Sequence, residues 1–204
     1  LTPSEELVAV DASFYEAPVL TLARALIGKV LVHLSPEGLV AGRIVETEAY
    51  RGPLDLAAHS ARGRRTKRTE AMFGPPGRAY MFMLYGSSWA FNVTAGLPGE
   101  PHAVLVRALE PVAGLDLMTK RRGVAPHRRE LTNGPGKLCG ALGLHRAHYG
   151  ADLTSGALWI AEGDRRAPVS RSARINVDYA GVWAERPWRF FERGNRYVSV
   201  APRG

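Results

Sequence analysis

Apolar residues recur at Val19, Leu22, Ala23 and Leu26, the spacing of one helical face, with Pro18 and Gly28 as brackets. The pattern predicts a helix over 18–28. The period then drops to two: KVLVHL (29–34) and LVAGRIVETEAY (39–50) read as strands, and the SPEG turn signal between them predicts a hairpin. Beyond the Pro-Pro-Gly turn, residues 78–85 and 89–94 predict aromatic-rich strands joined by a tight GSS turn. PHAVLVRALEP (101–111) predicts a further strand, and PVAGLDLMTKRRG (111–123) a helix with cations at its C-terminal end. GPGKLCGALG (134–143) predicts a short helix opened by Gly-Pro. The remainder alternates predicted strands (ALWIAE, VSRSARINV, RFFERG, RYVSV) with turns. Many strands with a few helices predict an α+β fold on a largely antiparallel sheet, a single domain over 1–204.

Within 39–50 the alternation puts Glu46, Glu48 and Tyr50 on one face and Arg43, Val45 and Thr47 on the other, if the strand has no bulge. A carboxylate buried in a sheet costs free energy unless compensated. Either glutamate is a candidate general base beside an aromatic wall, or a structural partner of a cation such as Arg107; the period does not choose between them. The same geometry puts Tyr80 and Phe82 together, and Ala103, Leu105 and Arg107 together. It sends Tyr85 to the other face at the hairpin tip, where an aromatic either covers an edge or enters a base stack.

Charge changes the picture. The chain has 27 Lys plus Arg against 19 Asp plus Glu, a formal net charge of +8. The stretches 61–68 (ARGRRTKR) and 120–129 (KRRGVAPHRR) each hold five cations and read as loops, the electrostatic footprint of a nucleic-acid partner. One cysteine, Cys139, excludes a disulfide framework and predicts a small buried side chain. Cys139, His145 and His148 lack the paired spacing of zinc ligands, so no metal is expected. GPGKL lacks Walker A spacing, although its backbone and Lys137 could meet a phosphate. No lysine marks a Schiff-base site. The opening LTPSEELVAV has neither basic n-region nor apolar h-region and no initiator Met, which predicts a trimmed chain without a signal peptide. No apolar run approaches membrane-span length. A cytoplasmic protein is expected.

IVETEAYRGPLDLAAHS, MFGPPGRAYMFMLYGSSWAFNV, VLVRALEP and LTNGPGKLCGALGL, in that order, resemble the alkyladenine (3-methyladenine) DNA glycosylase family, from SFY near residue 13 to the closing RGNRYVSV. The resemblance implies one mixed α/β domain with a curved antiparallel sheet, flanking helices and a protruding β-hairpin for the minor groove. It implies a monomeric, monofunctional enzyme of a bacterial type that flips a damaged purine from duplex DNA and hydrolyses the N-glycosidic bond with water, without metal or cofactor. By position, Glu48 resembles the general base, and Arg107 and the carbonyl of Ile175 the groups that hold the water. Tyr50 and His59 resemble one wall of the base slot and Phe82, where the family usually has Tyr, the opposite wall. Asn92 matches the residue that discriminates against the guanine 2-amino group, and Tyr85 the intercalating wedge. Ala103 and Leu105 border the pocket, and Arg64, Arg68 and Lys137 fall at or near backbone contacts. Gly136 stands where the family usually has Ser. Two rivals remain: a non-catalytic nucleic-acid module on the same scaffold, and a small-molecule hydrolase or transferase.

Overall fold

In the computed structural model, which describes residues 7–200, the longest strand is β2 (Gly38–Tyr50), and both of its edges are used. One edge pairs with β5 (His102–Ala113), from Ala41 opposite Ala113 to Tyr50 opposite Ala103. On the other edge its first half pairs with β1 (Val30–Ser35), and Glu46–Glu48 pair with β8 (Arg189–Glu192). Strands β3 (Ala79–Leu84) and β4 (Ser88–Ala95) extend the sheet past β5; β6 (Leu158–Ala161) adds to β1, and β7 (Val169–Ser172) adds to β8. Every one of these pairings is antiparallel. The result is an α+β fold with a curved sheet. Register shifts between Ala41 and Gly42 and on both sides of Glu46 supply local bends, since an extra residue in one strand increases its twist.

Helix α1 (Val19–Ala25) docks where its pattern predicts, burying Val19, Leu22 and Ala23; Leu26, at its C-cap, is buried as well. The hydroxyl of Thr47 donates to the carbonyl of Ala23 at 2.8 Å and ties the helix to β2. Helix α4 (Pro135–Leu142) closes the same core with Leu138, Cys139, Ala141 and Leu142 against Phe91, Val106 and Leu109. Burial of each large apolar side chain contributes about 1.5–3 kcal/mol. Cys139 is 1 % exposed. Two further helices, α2 (Glu70–Phe73), a single turn, and α3 (Leu115–Arg122), complete the helical set together with several 3-10 turns.

Several predicted boundaries move. The helix expected from 111 begins at Leu115, because Pro111–Ala113 finish β5 and Gly114, at φ 73°, turns the chain. A Cβ on Gly114 would stand 2.3 Å from the carbonyl oxygen of Leu39, so only glycine fits. The strand expected over 169–177 stops at Ser172: Arg174 is drawn into a buried pair with Asp55 and also donates to the carbonyls of Ala49 and Trp183. RYVSV is no strand, since the N–H of Ser199 is taken by Glu46 rather than by a ladder partner. The turn expected at GSS is Tyr85-Gly86-Ser87, with Leu84 opposite Ser88. The second basic stretch is not wholly loop, because Lys120–Arg122 form the last turn of α3 and Arg121 pairs with Glu37 at 2.6 Å. Residues 1–6, on which the trimmed-start expectation falls, lie outside the described residues. No helix among the described residues is long and apolar enough to cross a membrane.

Candidate active site

Glu46 and Glu48 are both wholly buried, and their partners separate them. Glu46 Oε1 accepts from Arg189 Nε at 2.7 Å and from the Ser199 hydroxyl at 2.9 Å, while Oε2 accepts from the Ser199 N–H at 2.6 Å. It is a structural acid, fastening β8 and the C-terminal segment to β2. Glu48 Oε2 accepts from the Tyr50 hydroxyl at 2.7 Å, and Oε1 accepts from the N–H of Ile175 at 2.7 Å. Arg107 stands between the acids, with Nη1 3.3 Å from Glu48 Oε2 and Nε 3.4 Å from Glu46 Oε1. Its Nε makes no hydrogen bond. The bulge explains this placement: Ala108 and Val106 pair with Glu46 and Thr47, leaving Arg107 without a partner in the ladder. Burial opposes the charge on Arg107, but Glu48 and Glu46 together raise its pKa. Burial, then the charge and hydrogen bond of Glu48, push the Tyr50 phenol well above its ordinary value, so it serves as a donor.

Glu48 is not among the residues that line the neighbouring space of about 450 Å3, but its partners Tyr50, Arg107 and Ile175 are. That volume is typical of small-molecule sites. His59, Phe82, Asn92, Ala103 and Leu105 also line it, as do Tyr85, Ser88 and the first turn of α4, including Lys137. The side-chain amide of Asn92 donates to the carbonyl of Tyr80 at 2.9 Å. Lys137 Nζ donates to Asn133 Oδ1 at 2.9 Å. Tyr85 is 88 % exposed and holds φ 48°, a left-handed conformation rare for a side chain of its size. Its direction is therefore set by the turn and not by the strand pleat from which its face was inferred. Arg64 is exposed in the loop that carries Arg68.

The His59 ring meets that of Phe82 edge to face, 4.6 Å between centroids, so in this arrangement no base lies between these two. Arg68 Nη2 donates to His59 Nε2 at 2.9 Å, and an arginine cannot accept, so the ring proton is on Nδ1 and is donated to the Tyr80 hydroxyl at 2.8 Å. Burial, with Arg68 and Arg64 nearby, lowers the His59 pKa to about 4. The ring is neutral at pH 7. Tyr80, directed by burial first, has its phenol pushed up to about 12.

The contact that the structure gives Ile175 is made by its N–H, whereas the sequence pointed to its carbonyl. Three contributors were missed: Asn176, at φ 57°, Tyr179, whose hydroxyl donates to the carbonyl of Ala57 at 3.3 Å, and the fully buried Arg174–Asp55 pair, 2.5 Å apart, that holds the 173–183 segment against β2. The irregular backbone after Ser172 broke the period that would have exposed them. Among the described residues no group of three or more His, Cys, Asp or Glu is placed to hold a metal. His148 instead meets His33, with their Nε2 atoms 3.2 Å apart.

A model of the methylpurine-DNA glycosylase family matches residues 13–196. The chain belongs to that family. Among its relatives, a protein of Bacillus licheniformis named "Putative 3-methyladenine DNA glycosylase" is 47 % identical over 200 residues, 98 % of this chain and 100 % of its own length. A protein of the same name from Methanocella arvoryzae is 46 % identical over 187 residues, covering 91 % of this chain and 93 % of its own. A third, from Anaeromyxobacter dehalogenans, is 48 % identical over 193 residues, covering 92 % and 84 %. The matched span of this methylpurine-DNA glycosylase family member contains both glutamates, the cavity walls, the hairpin and Ile175.

Proposed function

We propose that the protein is a monofunctional DNA glycosylase. It takes an alkylated or deaminated purine nucleotide, of the 3-methyladenine or hypoxanthine type, out of duplex DNA and hydrolyses its N-glycosidic bond with water, leaving an abasic site for base excision repair. The observation that carries this reading is the wholly buried carboxylate of Glu48 held behind three groups that line a cavity with aromatic walls. A carboxylate has about four acceptor directions. Tyr50 and Arg107 occupy those of Oε2, and the Ile175 N–H takes one of Oε1. The remaining one receives the attacking water once the bound nucleotide shifts the groups in front of Glu48 enough to admit it. As the bond to the base breaks, the base leaves with the electron pair, water adds to C1′, and its proton passes to Glu48. The carboxylate also offsets the positive charge that builds on the sugar.

The flipped base stacks on Phe82 and Tyr50, with His59 at its edge once Arg68 has yielded Nε2. Neutral at pH 7, His59 acts by hydrogen bonding and not as the proton source for an uncharged base. Extrusion costs a few kcal/mol, least for a damaged base, and stacking returns roughly 1–3 kcal/mol. Tyr85 fills the vacated place in the duplex. The partner is DNA, and the protein acts as a monomer in the cytoplasm, at the nucleoid.

Single-turnover excision of hypoxanthine from a duplex, read by alkaline cleavage, tests the reading. Glu48→Gln keeps binding to abasic-site DNA, and the rate falls by about 10²–10⁴. A fully active variant removes the assigned role, and a wild-type protein that binds DNA without any excision leaves the non-catalytic module.

A further inference from the structure

A second concavity, of about 590 Å3, shares Phe82 with the base cavity. Phe82 belongs to both linings, and the guanidinium of Arg68, 5.2 Å from the Phe82 ring centre, belongs to the second. The catalytic reading uses nothing else in it. Three cations line this groove, Lys67, Arg68 and Arg146, and no acidic residue does. Among the described residues none of the three has an ion-pair partner. Its apolar surface comes from Trp89, half-buried, Tyr149 and Met83, the last 50 % exposed.

The groove is already ordered. The Tyr149 hydroxyl accepts from the N–H of Ala71 at 2.9 Å and lies 3.2 Å and 3.1 Å from the carbonyls of Lys67 and Arg68. That single group pins the cationic loop beside the segment that carries Arg146. With its hydroxyl so used, Tyr149 offers only ring surface. Cations without counter-ions beside flat, half-exposed rings are the chemistry of unpaired nucleotides: phosphates meet the charges, and bases stack without regard to sequence. A peptide ligand of the same charge would not use the rings so fully.

We propose that this groove binds a single-stranded deoxynucleotide segment, an unpaired stretch of the strand whose damaged nucleotide occupies the neighbouring cavity. The second half of that statement rests on the glycosylase reading; the binding of single-stranded DNA does not.

The test uses octathymidylate, which has no damaged purine, titrated into the full chain and followed by tryptophan fluorescence and by anisotropy of an end label. The wild type binds with quenching. Trp89→Phe loses most of that quenching, whereas Trp159, Trp183 and Trp188 keep theirs in both proteins. Lys67→Ala/Arg146→Ala weakens binding at least tenfold and flattens the log–log salt slope by about 1.4, two single-strand phosphates' worth. Its single-turnover excision at saturating lesion duplex stays at the wild-type rate. Unchanged octathymidylate affinity in the double variant overturns the proposal, as does a loss confined to blunt duplex, which would make the cations ordinary duplex contacts. Excision absent from the wild type, with the octathymidylate results as expected, would remove the glycosylase reading and leave the groove.

Discussion

His59 sits among cations and rings that all resist its protonation. Unfolded, the imidazole takes its proton near its ordinary 6.5; folded, burial and the neighbouring Arg68 and Arg64 hold that off until about 4. Between those values the unfolded chain binds more protons, so this contribution to stability is full above 6.5 and is lost as the pH falls toward 4. Urea unfolding at pH 7 and pH 5 should show a smaller loss on acidification for His59→Gln than for the wild type. His33, His102 and His148 are also lowered, chiefly by burial, but they are common to both proteins and cancel in the comparison. Equal losses would mean that the ring is not held neutral by its surroundings. The same scale shows what a sequence can carry. Alternation located the two acids and stopped there, because Glu46 and Glu48 share a face; what separates them is Arg189 and Ser199 on one and Tyr50 and Ile175 on the other, and three of these four lie more than a hundred residues away.

Between elements, the hairpin β3–β4 presses closely on the first turn of α4. A Cβ on Gly136 would stand 2.9 Å from the Cβ of Ser88, which is closer than real side chains approach. The family pattern expects serine at 136; here Ser88 occupies the space such a side chain would need. Gly136→Ser should therefore destabilise by about 1–3 kcal/mol as an overpacked contact, and Ser88→Gly in the same chain should recover part of it. Denaturant unfolding of the two single variants and the double closes the cycle. Additive effects would mean that hairpin and helix do not press on each other there. The hairpin itself was legible, because its period and its Gly-Ser turn are local. The extent of β5, the early end of β7 and the bulge that frees Arg107 were not. Each is decided by a partner that the period does not register: β2 for β5, Asp55 for Arg174, and the paired acids for Arg107.

For the whole molecule, the excess of eight positive charges is unevenly spent. Arg43, Arg174 and Arg189 are buried in ion pairs that hold the sheet and its C-terminal segment, and Arg121 is tied to Glu37. Arg64, Lys67 and Arg68 remain exposed around the cavity and the groove beside it. DNA affinity should therefore fall linearly with salt on logarithmic axes, by about 0.9 per phosphate neutralised, and Arg64→Ala should reduce that slope by about one contact without changing the excision rate at saturation. Fluorescence anisotropy on undamaged duplex at several salt concentrations measures both. A response indifferent to salt would show that composition misled about the partner.

The chain's single thiol is carried by α4 into the core, and burial drives its pKa upward, so it stays protonated. Electrophiles are attacked by thiolates. In the glycosylase role proposed above, the protein would meet methylating reagents itself, and its one thiol presents them with no soft sulfur anion to methylate.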